Sequence, residues 1–100
     1  EAFRYSANDG VEVWFKPLAH GWGMVALNRN TSPHDFTFDW KNEKVSDDFS
    51  HRDAGLDRKI YRIKNLWTGK YLGTTDYLLT AEIPAHDVLA VRLSPAGLFY

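Results

Sequence analysis

Four histidines, His20, His34, His51 and His86, have the most to offer chemically in this sequence. Three are closely followed by aspartate, in His34-Asp35, His51-Arg52-Asp53 and His86-Asp87. Imidazole beside carboxylate can bind a metal or move a proton. Metal motifs, however, repeat donors at short fixed spacings that bring them together, and none of those spacings occurs here. The histidines therefore read as solvated turn residues. Ser6, Ser32, Ser46, Ser50 and Ser94 lack the Gly-x-Ser-x-Gly turn that presents a nucleophile, and a Ser-His-Asp triad is defined by geometry that spacing alone does not supply. Cleaving a glycosidic bond takes two carboxylates about 5–9.5 Å apart across a sugar cleft. Thirteen acidic residues would provide a pair by number alone, but the loop acids Asp47, Asp48 and Asp53 read as a solvated face. Without cysteine there is no disulfide, cysteine-zinc site or thiol nucleophile. No catalytic residue, metal or cofactor is assigned.

Aromatic side chains are the other candidates. Indole rings stack on the apolar faces of sugars and also anchor protein interfaces. Trp14 falls on the polar side of an alternating run and Trp22 lies in a glycine-flanked turn, so these two are the candidates for sugar contact or packing against a neighbouring domain. Trp40 and Trp67 are expected in the core, the first by face parity and the second at a sharp corner, Lys64-Asn65-Leu66-Trp67-Thr68-Gly69-Lys70.

Charge and length narrow the partners. Twelve basic and thirteen acidic residues leave a net charge of −1, which gives no pull toward nucleic acid or an anionic membrane surface. No apolar run approaches the roughly 20 residues of a membrane-spanning helix. One hundred residues make a single domain with a modest core. A first residue that is glutamate, not methionine, suggests a piece of a longer or processed protein.

The elements that must position these residues are strands. Val11-Glu12-Val13-Trp14-Phe15-Lys16 alternates with period two, and Pro17 is expected to end that ladder. Asp9-Gly10 before it is a hairpin signal, which makes Glu1 to Asn8 an edge strand. Met24 to Asn28 reads as a strand buried on both faces. His34 to Trp40 sends Phe36, Phe38 and Trp40 inward. Lys41 to Asp57 is too polar for a core element and reads as a long surface excursion with at most a short strand. Arg58 to Leu66, Tyr77 to Ile83 and Val88 to Leu93 complete the set, and Leu98-Phe99-Tyr100 reads as a loose tail. Strand-like runs separated by Gly, Pro, Asn and Asp, with no sustained helical period, indicate an all-β sandwich or barrel.

Four phrases, in this order, resemble the C-terminal β-sandwich domain of family 27 glycoside hydrolases of the α-galactosidase type. They are Val11-Glu12-Val13-Trp14-Phe15-Lys16-Pro17-Leu18; Gly21 to Arg29; Tyr61-Arg62-Ile63-Lys64-Asn65-Leu66-Trp67 with Leu72-Gly73; and Ile83-Pro84-Ala85-His86-Asp87-Val88-Leu89. The third usually reads Val-Arg-Asp-Leu-Trp in that family; here Lys64 and Asn65 replace Arg-Asp. The resemblance implies an antiparallel Greek-key sandwich of about eight strands in two sheets over residues 9–95. Its core would comprise Val11, Val13, Phe15, Val25, Leu27, Phe36, Phe38, Trp67, Leu79, Leu89 and Val91. It also implies a secreted, periplasmic or lysosome-type parent whose catalytic (β/α)₈ barrel precedes this domain and carries the two catalytic aspartates. A barrel takes about 250 residues and does not fit in this chain. The expected partner is that barrel, met through a surface near Trp14, Lys16, Pro17 and Leu18. The alternatives are a module that binds galactose-containing glycans through Trp14 or Trp22, and a free-standing interaction domain.

Overall fold

The computed structural model describes residues 1–96; the expected tail at Leu98-Phe99-Tyr100 lies outside them. Ten strands follow one another: β1 Phe3–Asn8, β2 Val11–Leu18, β3 Gly21–Asn28, β4 His34–Phe38, β5 Ser46–Asp47, β6 Arg52–Asp53, β7 Tyr61–Asn65, β8 Tyr71–Thr74, β9 Leu79–Ile83 and β10 Val88–Pro95. A six-stranded sheet runs β1-β2-β3-β10-β7-β8, a two-stranded sheet pairs β4 with β9, and β5 with β6 forms a small hairpin. Every pairing is antiparallel. The fold is thus the expected β-sandwich, with one broad layer and one narrow layer in place of two similar sheets. β10 lies between β3 and β7, so the end of the chain closes the middle of the broad sheet.

Local chemistry explains the main boundaries. Asp9 and Gly10 both have positive φ, 54° and 77°, as a two-residue hairpin turn requires. β2 does not stop before Pro17 but continues to Leu18, paired with β3 throughout. β1 begins opposite Phe15, so the proline sits where β2 has a partner on one side only. Gly21 has φ 134°, and a Cβ there would lie 2.0 Å from the Leu93 carbonyl oxygen. Only glycine lets β3 begin so close to β10, and this sets the phase of the strand. Trp22, Met24, Ala26 and Asn28 consequently face inward, while Val25 and Leu27 are only half-buried. The expectation that β3 is buried on both faces, with Val25 and Leu27 in the core, is corrected to ordinary alternation.

The core fills the gap between the layers. Phe15, Trp22, Met24, Ile63, Val91 and Leu93 come from the broad sheet, and Phe36, Phe38, Leu79 and Ile83 from the narrow one. Trp40 follows β4 in a single 3₁₀ turn, Trp40–Asn42, and meets Phe38 edge-on at 4.7 Å. Asn28 ties the layers together although it is polar and fully buried. Its amide donates to the carbonyls of Ser32, Ile83 and Pro84 at 3.0, 3.0 and 3.2 Å, and its oxygen accepts from the Asn30 backbone N–H at 2.9 Å.

Two further expectations fail. The segment from Lys41 to Asp57 is not a mere surface excursion, because Val45, Ala54 and Leu56 are buried. It folds across one end of the core, fastened where Tyr61 Oη donates to the Ala54 carbonyl at 2.6 Å and where Ala54 N–H donates to the Val45 carbonyl at 2.9 Å. Trp67 is not a core anchor: it is 74% exposed. The corner exists but is held by the backbone and Asn65. Asn65 Oδ1 accepts from the Trp67 and Thr68 amides at 2.8 and 3.1 Å, and Gly69, at φ 74°, closes the turn.

Candidate functional site

The broad sheet has a second face, directed away from the core. Alternation in β2 places Glu12, Trp14, Lys16 and Leu18 there, and register continues each row across the sheet. Trp14 stands opposite Val25, and Val25 opposite Ala90. Leu66 follows, its N–H bonded to the Ala90 carbonyl at 2.9 Å. Next to this apolar row runs a second, in which Lys16 stands opposite Gly23, Gly23 opposite Arg92, Arg92 opposite Lys64 and Lys64 opposite Tyr71.

Between the rows lies a hollow of about 250 Å³, lined by Ala2, Trp14, Leu18, Gly23, Val25 and Leu66 among others. Trp14 is held in place along its wall, since its indole N–H donates to Glu12 Oε1 at 3.0 Å and Glu12 in turn meets Arg29 at 3.3 Å. The indole is therefore presented as an apolar surface with its one polar group already satisfied. Beyond the hollow, the Arg62 guanidinium lies 4.2 Å from the centre of the Tyr71 ring.

The sequence-derived candidates divide on this geometry. Trp14, Lys16 and Leu18 share the outer face. Pro17 has the inward parity of Phe15 and stands opposite Trp22 at the end of the strand pair. Trp22 is 1% exposed, so no sugar ring can reach it, and its candidacy as a sugar contact is corrected. Arg52 covers it with the guanidinium 5.2 Å from the ring, held by donation to the Leu18 and Gly21 carbonyls at 2.6 and 3.2 Å. The turn expected at Trp22 is the first turn-in of β3, because the backbone freedom of Gly21 acts before the tryptophan. Leu66 and Val25 complete the hollow; Leu66 was not singled out and Val25 was expected in the core, because their parity becomes meaningful only once the register of β3 and β7 on β10 is known.

Chemistry of other kinds has little to work with. His51 and His86 occupy left-handed turn positions, both with φ 58°. Among the described residues, no group of three His, Asp or Glu side chains is placed to hold a metal, and no helix is long and apolar enough to cross a membrane. A groove of about 310 Å³ beside β1 and β4 is lined by Asp9, His34, Asp35 and Glu43. Glu43 there already accepts the Tyr5 hydroxyl at 2.5 Å. Burial first, then this bond and the carboxylate's charge, push the Tyr5 phenol up to about 12.

Comparison with known proteins agrees with this arrangement. Residues 8–93 match the family described as the alpha galactosidase C-terminal beta sandwich domain. Alpha-galactosidase A of Cellvibrio japonicus is 32% identical over 96 residues, which are 95% of this chain and 24% of that protein. The chain thus spans about a quarter of the length of this relative. Among solved structures, a family 27 β-L-arabinopyranosidase from Geobacillus stearothermophilus superposes with a TM-score of 0.75 at 19% identity, covering 100% of this chain and 20% of that one. Alpha-galactosidase I from Mortierella vinacea gives 0.69 at 20% identity, covering 92% and 22%. These two structural likenesses speak for the fold, and the family match speaks for descent: the chain belongs to the family of α-galactosidase C-terminal β-sandwich domains.

Proposed function

We propose that this is the non-catalytic C-terminal sandwich of an α-galactosidase-type glycoside hydrolase, and that it stabilises the catalytic (β/α)₈ barrel by docking on it through the outer face of the broad sheet. One observation carries the docking face: the apolar hollow between Trp14, Leu18, Val25 and Leu66. An apolar surface of this kind on a sheet otherwise edged with charge is what a partner covers. Ala2 lines the same hollow, so chain preceding β1 would arrive on this face. The length of the Cellvibrio relative leaves ample room for a barrel there.

The test is calorimetry of the full-length parent. Val25→Asp puts a charge in the hollow and should split one cooperative transition into two, or lower the midpoint of the parent more than that of this chain alone. A parent whose unfolding is unchanged by Val25→Asp would overturn the docking face. The glycan-binding alternative has lost Trp22 and rests on Trp14 alone, whose indole N–H is already engaged by Glu12. Titrating tryptophan fluorescence with millimolar galactosides separates the two, since docking requires no shift.

A further inference from the structure

We infer that the surface docked here brings a carboxylate-bearing backbone segment directly over Gly23, between Lys16 and Arg92. This rests on the docking proposed above and names the chemistry of the partner's surface. Two independent features of the outer face lead to it.

The first is Gly23 itself. It lies in the middle of β3, paired on both sides, where glycine weakens a strand. Its φ is not in the left-handed region, and a Cβ there would meet nothing closer than Leu18 Cδ1 and the Lys16 carbonyl oxygen, each at 3.9 Å. Neither backbone conformation nor packing within this domain calls for glycine. A glycine in such a place marks close approach of another backbone from outside. The contrast is Gly21, two residues earlier, whose absent side chain is required by the Leu93 carbonyl.

The second is charge. Lys16 and Arg92 flank Gly23 in register, Lys64 is next in the row, and Arg62 lies beside it on Tyr71. Among the described residues, none of these four cations is within ion-pair distance of a carboxylate; the pairs that form are Arg29 with Glu12 and Arg58 with Asp53 and Asp57. The chain as a whole carries a net charge of −1, so this row is a local concentration and not an expression of overall charge. Four like charges on one sheet face repel one another and disfavour a second copy of the same face as occupant. An acidic segment relieves that repulsion and gains charge-assisted hydrogen bonds on both flanks of the glycine floor.

The experiment uses the full-length parent beside this chain. Gly23→Val should leave the midpoint of this chain unchanged or raised, because valine suits a strand, yet lower the parent's midpoint by about 2–4 °C. Lys16→Glu with Arg92→Glu should lower the parent's midpoint at low ionic strength, and about 1 M salt should shrink the deficit, since screening then acts within a few ångströms. Lys41→Glu with Lys44→Glu makes the same change in net charge away from this face and should do neither. The inference is overturned if Gly23→Val is harmless in the parent, or if the charge reversals act no differently from the Lys41 and Lys44 pair. The docking proposal fails separately, through Val25→Asp.

Discussion

The two faces of the broad sheet are made by the same strands from alternate residues, yet they are built for different purposes. The inner face is continuous: Phe15, Met24, Val91 and Ile63 are each no more than 1% exposed. The outer face sets beside its apolar row a row of cations interrupted by a glycine. A face that only had to meet water would need neither the hollow nor the bare strand at Gly23. A face that only had to complete a core would not carry Lys16, Arg92 and Lys64. The difference separates residues that decide whether the domain folds from residues that, on the docking proposed above, would meet the barrel.

The strongest way to break that separation is at Trp22. Its indole is fully enclosed, with Arg52 stacked over it and Tyr61 close to the same end of the core. Trp22→Ala should cost about 3–5 kcal/mol, combining lost burial with the cavity left behind. Set against the marginal stability of a domain this size, about 5–15 kcal/mol, that is a large share of what holds it folded. Urea unfolding of the variant measures it directly. A cost near that of an outer-face substitution would mean that the inner face is not the determinant described here.

What could be read from the sequence follows the same line. Alternation identified β2, β4, β9 and the inward side of β10 correctly, because in each the most deeply buried residues recur with period two on one face. β3 was harder. Val25 and Leu27 are apolar yet face outward and only half-buried, so the run looked buried on both sides; of the two, Val25 lines the hollow. The segment after Trp40 failed for another reason. Val45, Ala54 and Leu56 are isolated in polar chain with no period, and nothing local says that the chain folds back over the core. Trp67 failed because its corner is stabilised by Asn65, at the position where relatives were expected to carry aspartate. Either side chain can accept the amide hydrogens of the turn, so the indole is not needed. Of the candidate site, Trp14 and Lys16 were legible from parity, whereas Leu18 lies beyond Pro17, where the ladder was expected to end. Gly23, Leu66 and Arg92 join them only through cross-strand register, which is long-range information.

A smaller effect probes the rim of the inner face. Tyr5 packs edge-on against Phe15 at 5.4 Å and donates its hydroxyl to Glu43. Its folded pKa is raised from 10.0 to about 12. The folded state therefore holds the phenol proton more tightly than the unfolded state does. The associated stability is fully present below about pH 10 and is lost as pH rises through about 12. Tyr5→Phe removes this dependence while keeping the ring. The gap in urea midpoint between the wild-type chain and the variant should narrow as the pH is raised from about 9 to about 11.5, whereas every group common to both proteins cancels. A gap that stays constant across this range would show that the Tyr5 hydroxyl is not held as the structure has it.

The smallest effect is expected where the sequence promised one of the largest. Trp67 is a tryptophan in a family phrase, and its loss from a core would cost several kcal/mol. With 74% of its surface exposed, it has little burial to lose. The turn it occupies keeps all its backbone bonds without it: Asn65 N–H to the Lys70 carbonyl at 2.8 Å, Gly69 N–H to the Asn65 carbonyl at 2.8 Å, and the two amides on Asn65 Oδ1. Trp67→Ala should therefore change the stability of this chain by no more than about 0.5 kcal/mol, the range of ordinary surface substitutions. Equal-sized side chains at Trp22 and Trp67 would then differ roughly tenfold in cost, for reasons of position alone. A loss of about 2 kcal/mol or more at Trp67 would place the indole against the body of the domain, and the β7–β8 corner would have to be redrawn around it.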